Sequence, residues 1–300
     1  MDNAGAGAYL RVMHALIDTR RAVLSVSGPE AREFLQGILT QDMSKVSRER
    51  AAYAALLTPQ GKIMFDFFIL EDEDGYLIDI RAERAADLLK RLKLYRLRAK
   101  VELADRPETS VLLGWGGEAP APAGFVIDPA PGRIAYVDPR LDAMGVRVLV
   151  DRETREAALA DLGAEASLAA YDANRFALGV PESGVDILPE RSFPLDLNFD
   201  ALHGVDYKKG CFVGQEVTSR MKRKGEVRKR TLIVALDSVR PEPGDAITAG
   251  ETTLGEVLSA GAMYALALIR MDRLTKAIDE GYAPHLDAAP VALKEPGYLV

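Results

Sequence analysis

The order of strand-like and helix-like segments between Val23 and Leu103 restricts the fold of this chain more than any other feature of it. Val23 to Val26 reads as a short strand. Ser27-Gly28-Pro29-Glu30 follows with the Ser-x-x-Glu spacing of a capping box and a proline in the first turn, so a helix is expected to start there. Phe34, Leu35, Ile38 and Leu39 recur at helical spacing until Thr40-Gln41-Asp42 ends the pattern. Ala51 to Leu57 and Ile63 to Leu70 read as a β-hairpin turning at Pro59 to Gly61, and Tyr76 to Arg81 adds a third strand. An amphipathic helix with Leu88, Leu89, Leu92 and Tyr95 on one side comes next, and Leu97, Ala99, Val101 and Leu103 then alternate with charges as a strand does. Strand, helix, two strands, helix and strand fit an α+β sandwich of ferredoxin-like type with antiparallel pairing.

Further on, strands are expected near Val111 to Gly114, Arg133 to Val137 and Val146 to Val150, and helices from Arg152 to Leu162 and Ser167 to Leu178. Val180 to Tyr207 has prolines at 181, 189 and 194 and no sustained periodicity, yet Ile187, Leu188, Phe193, Leu195, Leu197 and Phe199 make it too apolar for disorder. It reads as a packed loop lining a cavity. Beyond Arg228, short strands (Thr231 to Leu236, Pro241 to Asp245, Ala262 to Ile269) and Gly/Pro turns point to a small β-barrel. The expected division is therefore an α+β region of two subdomains over 1–228 and a barrel over 229–300.

Composition narrows the function classes. With 300 residues the chain can bury a core without staples, and its single cysteine, Cys211, excludes an intrachain disulfide. His14, His203 and His285 lie outside any metal-ligand spacing. The longest apolar run, Ala262 to Ile269, is far too short to cross a bilayer, and the stretch from Asp2 to Arg11 lacks the basic and apolar regions of a secretory signal. A reducing cytoplasm is the expected address. The net charge of -7 is unevenly spread: Lys208, Lys209, Arg220, Lys222, Arg223, Lys224, Arg228, Lys229 and Arg230 face only Glu216 and Glu226 in their stretch, which therefore carries +7. Such a patch on an acidic protein attracts a polyanion, phosphates or a polycarboxylate tail, to one place; a solvated face without a ligand is the plainer alternative.

Lys208 to Arg220 is the densest group of reactive residues. Gly210 and Gly214 allow close backbone approach, and a helix opening at Gly214 and running to Gly225 directs amide N–H groups at Cys211. A thiol beside a helix N-terminus and two lysines is favoured as thiolate where water reaches it, whereas a small residue packed under a turn is inert. Glu216 and Arg220 are spaced for an i,i+4 pair. Asp66 interrupts a strand apolar on both faces, so it must meet a donor, a ligand or a cavity. Arg175 shares a helical face with Tyr171 and Leu178 and is suited to pairing with a carboxylate.

Leu35-Gln36-Gly37 with Thr40-Gln41-Asp42, the Leu57-Thr58-Pro59-Gln60-Gly61-Lys62 turn, Arg175 through Pro181, and above all Lys209-Gly210-Cys211-Phe212-Val213-Gly214-Gln215-Glu216 resemble the YgfZ-type folate-binding proteins, relatives of the glycine-cleavage T-protein. The resemblance covers nearly the whole chain. It implies three subdomains around a central tetrahydrofolate cavity, and a role in assembly or repair of iron–sulfur proteins with an indirect link to tRNA modification. On this resemblance tetrahydrofolate or a derivative is the expected cofactor, Asp66, Arg175, Lys209, Gln215, Glu216 and Arg220 its expected contacts, and Cys211 the residue expected to do redox, cluster-contacting or one-carbon chemistry. Iron–sulfur client proteins are the expected partners. A rival reading is an aminomethyltransferase, as the T-protein is; but Phe65 and Ala177 stand where that enzyme has acids, which argues against aminomethyl transfer. A second rival, an RNA-binding module on the basic stretch, needs interleaved exposed aromatics, and only Tyr207 and Phe212 lie there.

Overall fold

In the computed structural model, which describes residues 12–130, 132–223, 227–237 and 239–300, the chain divides into two compact units. The first holds the described part of Met1–Leu57 with Met64–Leu168 and Leu202–Val213; the second holds Thr58–Ile63, Ala169–Ala201 and Gly214–Val300. The stretch from Asp2 to Arg11 and the residues Lys224, Gly225 and Glu226 lie outside the described residues.

The first unit is built on two sheets. β1 (His14–Ile17) belongs to the second of them; β2 (Arg21–Ser27), α1 (Ala31–Ile38), β3 (Ala52–Leu57), β4 (Ile63–Glu71), β5 (Gly75–Arg81), α2 (Ala82–Arg96) and β6 (Glu102–Asp105) make the first, with strand order β3-β4-β5-β2-β6. Without the edge strand β3 this is the β-α-β-β-α-β arrangement that the segment order predicts. Leu35 and Ile38 of α1 and Leu88 and Leu92 of α2 bury one face of the sheet together with Phe65, Phe67 and Ile69 of β4. Two local expectations fail. Ser27 is still in the strand, and Glu30, the N-cap of α1, makes no capping bond; its carboxylate accepts from the Lys100 amide at 2.9 Å instead. The strand after α2 starts only at Glu102, because Leu97 takes a positive φ of 47° at the helix end and is 85% exposed.

β7 (Thr109–Trp115), β8 (Val126–Ala130), β9 (Arg133–Val137), β10 (Val146–Asp151), α3 (Arg155–Leu162) and β11 (Ala164–Glu165) complete the second sheet, ordered β11-β1-β7-β10-β9-β8. Leu159 and Leu162 of α3 pack on Leu112, Val146 and Val148. Between the two sheets runs a layer of buried charge: Arg21 donates to the Asp79 carboxylate at 2.6 Å, Arg147 donates to it at 2.6 and 3.0 Å, and Arg140 grips Asp138. The guanidinium of Arg147 lies 3.9 Å from the ring centre of Phe68, with Arg140 at 4.9 Å. Strand β4 is apolar on both faces because one faces helices and the other faces this layer.

The second unit contains α4 (Leu168–Leu178, from Ala169 onward), α5 (Gln215–Arg223), and a C-terminal β-barrel domain of β12 (Lys229–Ala235), β13 (Ala246–Ala249), β14 (Thr252–Ala260), β15 (Tyr264–Arg270), α6 (Met271–Asp279), β16 (His285–Leu286), β17 (Ala289–Pro290) and β18 (Ala292–Lys294). Its strands run β17-β16-β13-β14-β15-β12-β18; Pro241 to Asp245, expected as a strand, is irregular. The 180–207 loop has no regular element, yet Ile187, Leu195, Leu197 and Phe199 are buried in it. Asn198 holds a positive φ of 60° there, its side chain donating to the Thr231 carbonyl at 2.8 Å.

Asp196 in this loop has its pKa pushed up to about 6 by burial, against the pull of Lys229 and Arg230. A carboxyl whose folded pKa lies above its unfolded value destabilises the fold once it ionises, so the penalty is present above pH 6 and gone below about pH 4. Asp196→Asn is expected to stabilise the protein at pH 7.5 by about 1–2 kcal/mol and to leave it unchanged at pH 4. Thermal unfolding at both pH values checks this; an equal shift at each would mean that burial of the charge is not the cause.

Candidate functional site

A cavity of about 710 Å³ opens in the first unit, within the range of small-molecule sites. Its walls come from four segments that are apart in sequence: Gln41 to Tyr53, Ala123 with Gly124, Pro139, and His203 to Lys208. Hydrogen bonds from Thr40 and Gln41 explain how they meet. The Thr40 hydroxyl donates to the Gly204 carbonyl at 2.7 Å and accepts from the Ala55 amide at 2.8 Å, while the Thr40 carbonyl accepts from the Asp206 amide at 2.9 Å. The Gln41 side-chain amide donates to the carbonyl of His203, a residue held at a positive φ of 57°. Gly124 is needed opposite: at φ +84° its backbone comes so close to Ala51 that a Cβ would lie 2.8 Å from the Ala51 carbonyl oxygen.

The wall is chemically divided. Tyr53 and Tyr207 supply rings, and Lys45, Arg50 and Lys208, all exposed, supply three cations around them. Asp206 is the carboxylate among the lining residues; burial works against its charge, but the hydrogen bonds from Lys45 and the Lys208 amide outweigh it and hold its pKa below the usual range. The Tyr53 hydroxyl donates to Asp66 at 2.9 Å. Asp66 is thus buried behind the aromatic wall, an acceptor that orients the phenol.

The residues expected from the sequence fall in different places. In the first unit, Asp66 reaches the cavity only through Tyr53, and neither Lys209 nor Cys211 lines it. Lys209 is buried, and its ammonium donates to the carbonyls of Gln36, Leu39 and Gln41 at 2.7, 2.6 and 2.7 Å, which uses all three of its N–H groups. Burial draws its pKa down to about 8, against Asp42 and Asp206. It therefore latches the Lys-Gly-Cys segment onto the end of α1, and an anionic ligand finds no donor left on it. Cys211 is exposed.

In the second unit, Arg175 is buried and paired: it donates to Asp186 at 2.7 Å and to Asp172 at 2.8 Å, and Asp186 also accepts from the Glu182 amide and the Ser259 hydroxyl. Burial opposes the Arg175 charge, but Asp186 and Asp172 more than restore it, raising the pKa. Gln215, Glu216 and Arg220 sit on the first turns of α5, Gln215 half-buried and the other two exposed. The expected ion pair between Glu216 and Arg220 is absent among the described residues, since both side chains stay in water where such a pair gains little. The basic stretch is also partly neutralised, with Lys222 and Arg230 both on Asp200. Gly61, at φ +78°, brings the hairpin turn against α5, where a Cβ would lie 3.0 Å from that of Val217. Lys45, Arg50 and Tyr53 carry no motif signal, and Thr40-Gln41 enters the sequence reading as a helix end and as part of the family resemblance, with no contact role expected of it.

Comparison with known proteins gives two family matches: the GCVT N-terminal domain over residues 11–120 and the CAF17 C-terminal beta-barrel domain over 228–299. Among curated proteins, the chain is 34% identical to the mitochondrial iron-sulfur cluster assembly factor IBA57 homolog of Pyricularia oryzae, covering 85% of this chain and 71% of that protein. It is 34% identical to the mitochondrial iron-sulfur cluster assembly factor IBA57 of Homo sapiens, over 78% of this chain and 69% of that one. It is 37% identical to the homolog of Neurospora crassa over 76% of this chain, a match spanning only 55% of that longer protein. The crystal structure of the glycine cleavage system aminomethyltransferase T from Bartonella henselae superposes with a TM-score of 0.76 over 98% of this chain and 88% of that one, at 17% identity, which is a likeness of fold. The expected cytoplasmic address is overturned by these relatives, which are mitochondrial proteins. The single cysteine and the lack of long apolar runs, on which that expectation rested, fit any reducing compartment equally well.

Proposed function

Because this chain belongs to the IBA57 family of iron–sulfur cluster assembly factors, we propose that it serves the assembly or repair of iron–sulfur proteins as a YgfZ-type factor that binds a reduced folate. The 710 Å³ cavity carries this reading. Its size suits a folate, the half-buried Tyr207 offers a ring face beside the buried Tyr53, and Lys45, Arg50 and Lys208 offer charge-assisted bonds to glutamate carboxylates. A reduced folate, when bound, supplies one-carbon chemistry; what the chain contributes is placement, with Asp66 fixing the Tyr53 phenol and Lys209 fixing the segment that leads to Cys211.

The cluster itself is cargo. Among the described residues no group of three or more His, Cys, Asp or Glu is arranged to hold a metal. The exposed Cys211 can offer one thiolate to a cluster whose other ligands come from a client protein. An indirect link to tRNA modification follows if the clients include iron–sulfur enzymes that modify tRNA. The aminomethyltransferase reading is weaker: Phe65 is buried beneath the Arg84 guanidinium, and Ala177 is exposed on α4, so neither position supplies an acid. The RNA-binding reading loses Phe212, which is buried with the Lys209 ammonium 5.2 Å from its ring centre, and a single half-buried Tyr207 does not make an interleaved set.

In cells lacking the protein, iron–sulfur enzyme activity is expected to fall and to be restored by the wild type. Cys211→Ser, at an exposed position, is expected to fold normally and to restore about a tenth of it or less. Full restoration by Cys211→Ser would remove the thiol from the account, and no deficit without the protein would remove the assembly role.

A further inference from the structure

The buried charge between the two sheets of the first unit is not balanced. Arg21, Arg81, Arg140 and Arg147 face Asp66, Asp79 and Asp138, and all seven are at most 9% exposed. Arg81 is the cation in surplus. It stands directly opposite Arg21 in the β2–β5 pairing, where like charges repel, and the Asp79 carboxylate is taken by Arg21 and Arg147. Its Nε and Nη1 are buried without a hydrogen-bond partner among the described residues. Its carboxylate contact is with Glu83, 3.8 Å from Nη2 and beyond hydrogen-bond reach, and the Glu83 side chain is largely in water.

A second observation converges on the same place. Arg81 is also the N-cap of α2, a 15-residue helix whose N-cap makes no side-chain bond; the Ala82 amide donates to the Arg20 carbonyl at 2.7 Å, and the amides that follow it in the first turn have no side-chain cap at the positive end of the helix. The Nη2 contact with Glu83 puts the guanidinium beside that turn. A buried guanidinium with two unsatisfied nitrogens and a helix start without a side-chain cap are served by the same thing, an acceptor with negative charge. We infer that Arg81 and the first turn of α2 form a binding site for a small oxyanion, a phosphate or a carboxylate, separate from the cavity proposed for folate. None of its residues lines that cavity. Arg81 retains 8% exposure, which leaves a way in for an ion but not for a bulky group. Glu83 competes for the site from outside.

The test compares thermal unfolding of the full chain in millimolar phosphate, acetate and chloride at equal ionic strength, together with the phosphorus resonance line width. Phosphate or acetate is expected to raise the melting temperature above that in chloride; which of the two acts more strongly identifies the oxyanion. Arg81→Gln is expected to weaken binding about tenfold or more, and Glu83→Gln, at an exposed side chain, to tighten it about twofold. No response of the wild type to either anion overturns the site, as does an unchanged response in Arg81→Gln. Should Arg81→Gln fail to fold, Glu83→Gln decides, because unaltered affinity in that variant places the anion elsewhere.

Discussion

Replacing Lys209 with methionine is expected to destabilise the protein by about 4 kcal/mol, because three hydrogen bonds from one ammonium disappear and the acceptors at Leu39 and Gln41 are left buried. Methionine keeps most of the buried stem, so the loss reports the ammonium rather than packing. The melting temperature should fall by roughly 8–16 °C, on the usual 2–4 °C per kcal/mol for a chain of this order. Lys208→Met is the control: that side chain is exposed, and a change within about 0.5 kcal/mol is expected. Equal effects of the two substitutions would show that the carbonyl latch contributes nothing.

The second large effect is expected at Arg175. Arg175→Met strands the fully buried carboxylate of Asp186 and should cost about 3–5 kcal/mol. Asp172→Asn removes the half-buried i,i+3 partner and should cost about 1 kcal/mol or less. The pairing itself is tested by a double-mutant cycle. Arg175→Met with Asp186→Leu removes both charges, so it should be clearly less destabilised than the sum of the single changes. A strictly additive pair would mean that Arg175 acts through its contact with Phe176, 4.2 Å from the guanidinium to the ring centre, and not through its charge.

These two residues also show what a sequence can and cannot disclose. The pairing of Arg175 with a carboxylate follows from its place on an apolar helical face, although Asp186, eleven residues on in an irregular loop, has no spacing rule to announce it. Lys209 looks in the sequence like an anion ligand, since a charged residue in a basic stretch advertises its donors and hides the backbone acceptors that take them. Asp66 is legible as a carboxylate in need of a donor because every neighbour in Ile63 to Leu70 is apolar; that the donor is Tyr53 depends on the pairing of β3 with β4. The cavity is least legible, for Thr40 and Gln41 join it to residues some 160 positions away through backbone carbonyls, which leave no mark on residue type. Local errors have local causes: a Ser-x-x-Glu spacing remains in an extended strand end, and Leu97 gives up its apolar face to turn the chain out of α2.

The central claim is that the cavity walled by Tyr53, Tyr207 and the three cations holds a reduced folate. Calorimetric titration of the full chain with tetrahydrofolate under anaerobic conditions tests it most directly, beside the double variant Arg50→Gln/Lys208→Gln, whose exposed positions leave the fold intact. Saturable binding by the wild type, weakened about tenfold or more in the variant through loss of two charge-assisted contacts, is the predicted result. Absence of binding at millimolar tetrahydrofolate, or equal affinity in wild type and variant, would contradict it.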